Sequence, residues 1–344
     1  MSHSPPSYLD AIAERVVVFD GAAGTNLQTV GLTADDFGGP ALEGCNEMLV
    51  VTRPDVIANL HDSFLRVGVD VIETNTFGSF AVPLNEYDSA DRAHELNVAA
   101  VRIAREVASS YATPDRPRWV AGSIGPGTKA ASLGQIRFAD LRDAFEVQAR
   151  ALLEAGVDLF LIETQFDLLG LKAAMIACRR AMRALGMQIP IQTQVTMETT
   201  GRMLLGTEIG AALTAIEALR PDAIGINCAT GPVEMGEHLR HLSQCSTRPI
   251  SCLPNAGMPS IIDGQMHYDL TPAQLAEHHH RFVTEFGVNV IGGCCGTTPG
   301  HLAAVIDRCA GLDVPRRSPV REPGAASLYA HVPFKQDASF LVMG

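Results

Sequence analysis

Three cysteine residues at the ends of strand-like segments are the first candidates for chemistry in this chain. Cys228 follows the apolar run 223–227, and the adjacent residues Cys294 and Cys295 follow the run 288–292. Three thiolates can form one face of a tetrahedral zinc site and leave the fourth position open to substrate, which is typical of catalytic zinc. Structural zinc sites normally use two short-spaced cysteine pairs, and this sequence lacks that pattern.

Glycines beside the cysteine pair favour the metal site. Gly292, Gly293 and Gly296 let the backbone turn both sulfurs toward one point. The alternative is that the single cysteine is a small buried hydrophobic residue and that the adjacent two are an ordinary packed or oxidisable pair. An all-thiolate site with an open position suits a thiol substrate, because zinc stabilises a thiolate that is still nucleophilic. The cysteines therefore predict alkylation of a substrate thiol.

Polar residues at the ends of other strand-like runs predict where an amino acid could bind. The run Asp-Gly-Ala-Ala-Gly-Thr begins at Asp20. Backbone N–H groups of this turn, which includes Gly21 and Ala22, could hold a carboxylate while Asp20 holds an ammonium. Turns of this composition are also common without any such role. Glu73 and Glu163 could add negative charge for an amino group, and helix capping or ion pairing would explain them equally well.

Other histidines and cysteines are weaker candidates. His278, His279 and His280 are consecutive on a predicted exposed helix, where they point in different directions, so a solvated face is favoured over a metal site. Cys178 falls on the apolar face of a predicted helix and is expected to belong to the core. Cys45 lies in a predicted loop, and its role stays open.

The elements that position these residues form a regular alternation of strands and helices. Short β-branched runs, which predict strands, occupy residues 16–19, 69–73, 119–123, 157–163, 189–195, 223–227, 249–253 and 288–292. Eight strand-plus-helix units match the α/β class and a (β/α)8 TIM barrel, whose typical length is about 250 residues before insertions. A doubly wound sheet is the competitor, but it normally has fewer strands and a G-x-G-x-x-G turn, which is absent after the first strand.

A weak internal repeat supports the barrel and predicts where its chemistry lies. Related segments begin at Gly68, Gly156, Pro221 and Gly287, and they contain the second, fourth, sixth and eighth strands. Active sites of such barrels lie at the carboxyl ends of the strands, and side chains from alternate strands share a layer. We therefore expect the ends of these strands to converge on one mouth, with Glu73, Glu163, Cys228, Cys294 and Cys295.

Residues typical of helix ends occur in the segments between the strands. Residues 52–55 and 271–274 read as capping boxes with proline in the first turn of a helix. Gly68 and Gly186 follow amphipathic stretches and predict helix C-termini.

The composition excludes several classes of protein. The chain has 344 residues, 47% of them hydrophobic and 19% charged, which is the balance of a globular enzyme rather than a disordered chain. The net charge of −12 argues against nucleic acid as a partner, and eight cysteines are too few for a disulfide scaffold. No apolar run reaches the roughly 18 residues of a membrane helix, and the first residues lack the layout of a signal peptide. We therefore expect a cytoplasmic protein without a membrane partner.

Seven short motifs, found in order along the chain, carry a family resemblance. They are DGAAGT (20–25), GCNE (44–47), ETNTFG (73–78), GSIGPGTK (122–129), GINCATGP (225–232), PNAG (254–257) and GGCCGTTP (292–299). Together they resemble the homocysteine S-methyltransferase family, and most closely the homocysteine-binding module of cobalamin-dependent methionine synthases. The resemblance covers residues of about 16–310, and the combination of GINC with GGCC is highly specific.

The resemblance implies a zinc-dependent (β/α)8 barrel in which the thiolate of L-homocysteine is the nucleophile. It implies Cys228, Cys294 and Cys295 as the zinc ligands. It also suggests which side chains surround the amino-acid end of the substrate, namely Asp20, Glu73, Asn75 and Glu163. Asn255, on the strand between the two cysteine-bearing strands, is the candidate for a weak oxygen ligand when substrate is absent. Ala23 stands where the family often has methionine, and we expect this difference to alter packing more than ligation.

Residues 311–344 help to predict which molecule donates the methyl group. Residues 311–344 read as a Pro-rich, charged linker that ends in an apolar run at 340–344, and they resemble the segment that leads into the folate-binding barrel of methionine synthases. We therefore expect residues 1–310 to form the homocysteine-binding barrel and 311–344 to lead into a following domain. The methyl group would come from methylcobalamin held by another module, with cobalamin-binding and folate-binding modules as partners and methionine as the product.

Three other functions stay open. One is a stand-alone homocysteine S-methyltransferase that uses S-methylmethionine or another sulfonium or ammonium donor. A second is a non-catalytic barrel that serves as a docking domain, with a structural cysteine cluster. A third is an unrelated barrel lyase that uses Glu73 and Glu163 in acid-base chemistry.

Overall fold

Eight parallel strands form a closed barrel in the computed structural model, which describes residues 6–262 and 265–336. The first to eighth barrel strands are Val17–Val18, Val71–Glu73, Trp119–Ile124, Leu159–Gln165, Ile191–Val195, Ala223–Asn227, Ile250–Leu253 and Val290–Ile291. The first strand pairs with the eighth through Val17 and Val290, and a parallel bridge between Phe19 and Val71 joins it to the second and closes the ring. The predicted (β/α)8 barrel is confirmed.

The predicted strands agree with the observed ones to within two residues at each end. The agreement has a physical reason, because strands of such a barrel are covered by helices outside and by packed side chains inside, so their sequences are continuous apolar runs. Every residue of Trp119–Ile124 and of Ala223–Asn227 is buried.

Helices surround the barrel and also fill the connections at its mouth. The α-helices are Tyr8–Glu14, Ala23–Leu27, Ala34–Phe37, Leu49–Thr52, Pro54–Val67, Ala81–Leu84, Ala93–Tyr111, Phe138–Ala155, Leu168–Leu185, Ile209–Ala218, Pro232–Cys245, Pro272–Phe286 and Pro299–Cys309. Single 3-10 turns are Gln28–Val30, Pro40–Leu42, Asn46–Met48, Asn85–Tyr87, Ala90–Arg92 and Ala131–Leu133. Two antiparallel hairpins complete the described elements, one formed by Pro259–Ile262 with Gln265–Tyr268 and the other by Gly324–Ala326 with His331–Pro333.

The predicted helix ends are mostly observed, with one correction. Gly68 and Gly186 adopt left-handed φ angles of 105° and 66° at helix C-termini, and Thr271 forms the predicted capping box. The capping box predicted at Thr52 is wrong. Its hydroxyl donates to the Met48 carbonyl at 3.0 Å, because a short helix already runs up to this residue.

The N-terminal helix closes the bottom of the barrel. The ring of Tyr8 makes edge-on contacts with Phe19 and Trp119, at centroid distances of 6.2 and 5.9 Å. Its hydroxyl donates to the Gln192 side-chain oxygen at 2.6 Å. Since this helix fills the amino-terminal end of the barrel, the carboxyl ends of the strands form the open end.

Residues after 311 pack along the outside of the barrel as far as they are described. The backbone N–H of Val320 donates to the Gln244 carbonyl at 2.8 Å, and Arg321 forms a 2.7 Å ion pair with the buried Glu217 carboxylate. The strand predicted at 340–344 lies outside the described residues. Within residues 6–262 and 265–336, no helix is long and apolar enough to cross a membrane.

Candidate active site

A cavity of about 370 Å³ opens at the carboxyl ends of the barrel strands. Its wall contains residues at or close to the ends of the first to fourth and the sixth to eighth strands, together with the end of the hairpin strand Gln265–Tyr268. The predicted convergence of the even-numbered strands on one mouth is therefore observed. The cavity has a sulfur-lined part and a carboxylate-lined part.

The sulfur-lined part consists of Cys228, Cys294 and Cys295. Their Sγ atoms all lie within 4.8 Å of one another, and those of Cys228 and Cys295 are 3.8 Å apart. Each of the three residues is partly exposed, in contrast to Cys178, whose predicted core position is confirmed. Among the residues that the structure describes, these three form the one group of histidine, cysteine or carboxylate side chains with the spacing of a metal site.

The backbone turns sharply to direct Cys228 into the mouth. Cys228 and Ala229 have φ angles of 56° and 60°, the left-handed region that residues with a Cβ rarely adopt. The Cys228 N–H still donates to the Leu253 carbonyl at 3.2 Å, as it would in a continuing parallel strand pair. Two consecutive strained residues at a strand end are a feature that functional sites retain and that packing alone would not select.

The turn that carries the cysteine pair depends on missing side chains. A Cβ at Gly293 would lie 2.2 Å from the Thr297 Cγ2 atom, and a Cβ at Gly296 would lie 2.2 Å from the Tyr268 ring. Gly296 also has a φ of 76°. The carbonyl of Gly292 accepts a 2.7 Å hydrogen bond from the buried His279 ring. Glycines therefore allow the close approach that was predicted for them.

Cys295 receives the most hydrogen-bond support of the three. Hydrogen bonds from the thiols of Cys228 and Cys294, followed by one from the Tyr268 hydroxyl, lower the pKa of Cys295 to about 3. The pKa of Cys294 is raised, because its thiol donates to the other two sulfurs and burial disfavours its thiolate. The backbone N–H of Cys295 donates to the Asn255 side-chain oxygen at 3.1 Å. Of the three sulfurs, Cys295 is therefore the one that its neighbours best stabilise as a thiolate.

The carboxylate-lined part consists of Asp20, Glu73 and Glu163. Both oxygens of Asp20 accept from the Glu73 backbone N–H, at 3.2 and 3.1 Å. Glu163 accepts from the Ser123 hydroxyl at 2.6 Å and from the Asn227 amide at 3.1 Å. These contacts fix the Asp20 and Glu163 carboxylates in orientation at the ends of the first and fourth strands.

Burial and mutual repulsion disfavour the ionised forms of these three groups. Burial raises the pKa of each, and the neighbouring Glu163 charge adds to the rise at Asp20 and Glu73. The Glu73 carboxyl donates a hydrogen bond to Glu163, whose ionised form also gains from Ser123. Such a site favours the binding of a cation, because a bound ammonium would offset the cost of ionising the carboxyl groups.

The remaining predicted residues divide into two groups. Gly21, Ala22 and Asn75 line the same cavity as the cysteines and carboxylates, and the Asn75 amide donates to the Asn46 carbonyl at 2.7 Å. Asn255 is buried and does not line the cavity, because its side-chain oxygen is held by the backbone of the cysteine pair.

Several residues of the site were not predicted from the sequence. Glu47, Tyr268 and His61 line the cavity, and Glu47 accepts from the Gly78 N–H at 2.8 Å. The GCNE motif was the available signal for Glu47.

The prediction that the three consecutive histidines lie on a solvated helix face is wrong for His279. This residue is buried, because it falls on the face of Pro272–Phe286 that packs on the barrel.

Cys45, whose role the sequence left open, is buried beside this wall. Its thiol donates to the Glu47 carboxylate at 3.8 Å, and burial raises its pKa to about 11. It is therefore a protonated thiol that supports a lining carboxylate rather than a fourth sulfur of the cluster.

Comparison with known proteins identifies relatives over almost the whole chain. The family described as homocysteine S-methyltransferase matches residues 17–309. The methionine synthase of Mycobacterium tuberculosis (strain ATCC 25618 / H37Rv) is 51% identical over 336 residues, and that of Mycobacterium leprae (strain TN) is 50% identical over 341 residues. Each match covers 98% of this chain, and the chain spans only 28% of the length of either relative.

Solved structures support the fold. The homocysteine methyltransferase MmuM from Escherichia coli in its metallated form has a TM-score of 0.69 and 22% identity, and its oxidised form has a TM-score of 0.68 and 23% identity. Both alignments cover 85% of this chain and 96% of the other. At this level of identity, the likeness shows a shared barrel architecture and nothing more.

Proposed function

The chain belongs to the homocysteine S-methyltransferase family, and we propose that it binds L-homocysteine and activates its thiol for methyl transfer. The observation that carries this proposal is that three sulfurs meet the carboxyl groups of Asp20, Glu73 and Glu163 in one cavity. A thiol amino acid has a soft sulfur at one end and an ammonium at the other, and the two parts of the cavity match these two ends.

The three cysteines fit a zinc ion. Tetrahedral zinc with Zn–S bonds of about 2.3 Å holds its sulfurs about 3.8 Å apart. The Sγ atoms of Cys228 and Cys295 have that separation, 3.8 Å, and Cys294 lies within the same cluster. When bound there, zinc would stabilise a substrate thiol as a thiolate that remains nucleophilic at neutral pH.

The residues of the chain contribute by positioning. Asp20, Glu73 and Glu163 would bind the substrate ammonium, and Glu163 is already oriented by Ser123 and Asn227. Backbone N–H groups at Gly21 and Ala22 would receive the carboxylate. Asn255 would support the cysteine pair through the Cys295 N–H, which leaves a further role as weak oxygen ligand to be tested.

We infer methylcobalamin as the methyl donor, carried by a module outside these residues. Support comes from the two relatives, both methionine synthases, of which this chain spans 28%. On this proposal residues 1–310 are the homocysteine-binding unit, 311–344 connect it to a folate-binding neighbour, and the product is methionine. Incubating the chain and homocysteine with methylcobalamin or S-methylmethionine tests the donor. Turnover with S-methylmethionine alone would contradict the assignment.

The metal assignment makes a direct prediction. The purified chain should bind about one zinc per molecule, and Cys228→Ala or Cys294→Ala should abolish stoichiometric binding, because two thiolates do not complete a stable site. Cys245→Ala is the matched control, since this cysteine lies at the end of Pro232–Cys245 and does not line the cavity. Elemental analysis after dialysis is the measurement, and stoichiometric zinc in either variant would rule out the site.

Homocysteine binding is tested separately by calorimetry of the zinc-loaded chain. Binding of a thiol as thiolate at neutral pH releases a proton, so the apparent enthalpy should depend on the ionisation enthalpy of the buffer. We expect a buffer-dependent signal in the parent chain and in the Cys245→Ala control. Binding without proton release would show that the thiol is not activated.

A further inference from the structure

His61 lies beside the turn that was assigned to the substrate carboxylate. It belongs to the helix Pro54–Val67, one turn before Phe64. The ring of Phe64 packs under that turn, since a Cβ at Gly21 would lie 3.1 Å from it. Barrel helices run antiparallel to their strands, so residue 61 is nearer the mouth than residue 64. His61 accordingly contributes to the cavity wall.

The imidazole of His61 has no partner within the part of the chain that the structure describes. Both ring nitrogens are buried without a hydrogen bond, and the residue is only 1% exposed. Burial lowers the pKa of His61 to about 4, so at neutral pH the ring is neutral and has one N–H donor and one acceptor. Buried polar side chains are nearly always hydrogen-bonded, so an unpartnered one in a cavity wall points to a ligand.

The charges of the cavity indicate which part of a ligand needs this donor. Asp20, Glu47, Glu73 and Glu163 all line it, whereas no lysine or arginine among the described residues does. An α-amino acid brings a carboxylate that these groups would repel. His61 is the one described imidazole in this lining, it can donate an N–H without carrying a negative charge, and it shares the cavity wall with Gly21 and Ala22.

We propose that the His61 imidazole recognises the α-carboxylate of the thiol amino acid, by donating an N–H to one of its oxygens. His61 is then a specificity-determining residue, because it separates amino-acid thiols from simple aminothiols. The inference rests on the proposed function, since it assumes that the thiol end of the ligand lies at the cysteine cluster.

The test compares two ligands on the zinc-loaded chain by calorimetry. L-Homocysteine has all three groups, and 3-aminopropane-1-thiol has the same thiol and amine without the carboxylate. His61→Leu removes the ring nitrogens at similar volume, and His61→Gln restores a donor. We expect His61→Leu to weaken homocysteine binding by about tenfold or more, since a hydrogen bond to a charged group is lost. Binding of the aminothiol should change by less than about twofold.

The outcomes separate the two proposals. Equal weakening of both ligands, or no weakening of either, would overturn the role of His61 while leaving the proposed function intact. Failure of the parent chain to bind either thiol would overturn both. Zinc content of each variant is measured in parallel, and it should equal that of the parent chain because His61 is not in the cysteine cluster.

A measurement on the unmodified sequence covers the case in which the variants fail to fold. With 15N-labelled histidine, addition of homocysteine should shift the ring-nitrogen resonances of one buried histidine, and addition of the aminothiol should leave them in place. His61→Gln identifies the resonance when it folds. Otherwise the signals of the two buried histidines, His61 and His279, are recognised because they do not titrate near neutral pH, and only His61 lines the cavity. Identical spectra with the two ligands would overturn the proposal.

Discussion

The carboxyl groups of Asp20, Glu73 and Glu163 lie together in one cavity although ionised groups of like charge repel each other. Asp20 and Glu163 are buried, and Glu73 is only partly exposed. Burial and then the Glu163 charge raise the pKa of Glu73, whose carboxyl donates to Glu163. Above pH 4.5 the folded chain without substrate therefore binds more protons at this position than the unfolded chain does, which makes this part of the site costly for stability.

Replacing Glu73 with glutamine should stabilise the protein without substrate. The amide can donate to Glu163 as the protonated carboxyl does, and it needs no proton. Because the folded pKa lies above the ordinary value of 4.5, the parent chain loses stability as pH rises from there toward the folded pKa. Urea unfolding should therefore show equal stability below about pH 4 and a gain of about 1 kcal/mol for Glu73→Gln at pH 7.5.

The control for this prediction is Glu106→Gln, an exposed position on the helix Ala93–Tyr111. We expect no pH-dependent difference from the parent chain there. The same Glu73→Gln variant should bind homocysteine more weakly, because one negative partner of the ammonium is gone. Lower stability of Glu73→Gln at pH 7.5 would show that Glu73 is ionised and favourably paired in the free protein.

At the scale of elements, strand ends rather than helices carry the site. The strands could be predicted because each is a continuous apolar run, and a barrel then brings the ends of the even-numbered strands together whatever the loops do. This is why Glu73, Glu163 and the three cysteines could be assigned from the sequence. The predictions of zinc and of homocysteine came from the resemblance to a known family.

Residues contributed by the surrounding helices and loops could not be predicted in the same way. His61 and His279 lie on helices with ordinary amphipathic patterns. Each of them is buried because of how its helix is rotated on the barrel. Tyr268 reaches Cys295 from a hairpin whose path depends on the finished fold. The capping box expected at Thr52 failed for a similar reason, because a preceding helix uses the same hydroxyl.

The turn after the eighth barrel strand makes the sharpest prediction for an element. Gly293→Ala should displace the cysteine pair, because the added Cβ would lie 2.2 Å from the Cγ2 atom of the fully buried Thr297. Overpacking of this kind costs about 1–3 kcal/mol. We expect a lower urea midpoint and at least tenfold weaker zinc binding, measured by competition with a chromophoric chelator.

Gly300→Ala is the matched control for that turn. Its nearest contact would be the Thr298 hydroxyl at 3.6 Å, an ordinary distance, and it lies within the helix Pro299–Cys309. Alanine favours a helix over glycine by up to about 1 kcal/mol, so this variant should be as stable as the parent chain or more so. Parent-like zinc affinity in Gly293→Ala would show that the turn can relax without moving the sulfurs.

At the scale of the whole molecule, the two ends of the barrel have different tasks. The N-terminal helix fills the bottom with Tyr8, whereas the mouth is left open and lined with sulfur and carboxyl groups. Residues after 311 run along the outer surface beside Ile209–Ala218, from Glu217 at the C-terminal end of that helix to Gly210 near its N-terminal end. None of the described residues after 311 lines the cavity.

The attachment of that outer segment should depend on one ion pair. Arg321 reaches the Glu217 carboxylate, whose side chain is 1% exposed, at 2.7 Å. Arg321→Ala removes this ion pair, and since Arg321 itself is partly exposed we expect a loss of about 1–2 kcal/mol. Arg316→Ala, at an exposed position of the same segment, should cost less than about 0.5 kcal/mol. Urea unfolding compares the variants, and limited proteolysis should cut Arg321→Ala first within residues 311–336. Equal midpoints and equal cleavage rates would show that the segment is held to the barrel by its other contacts.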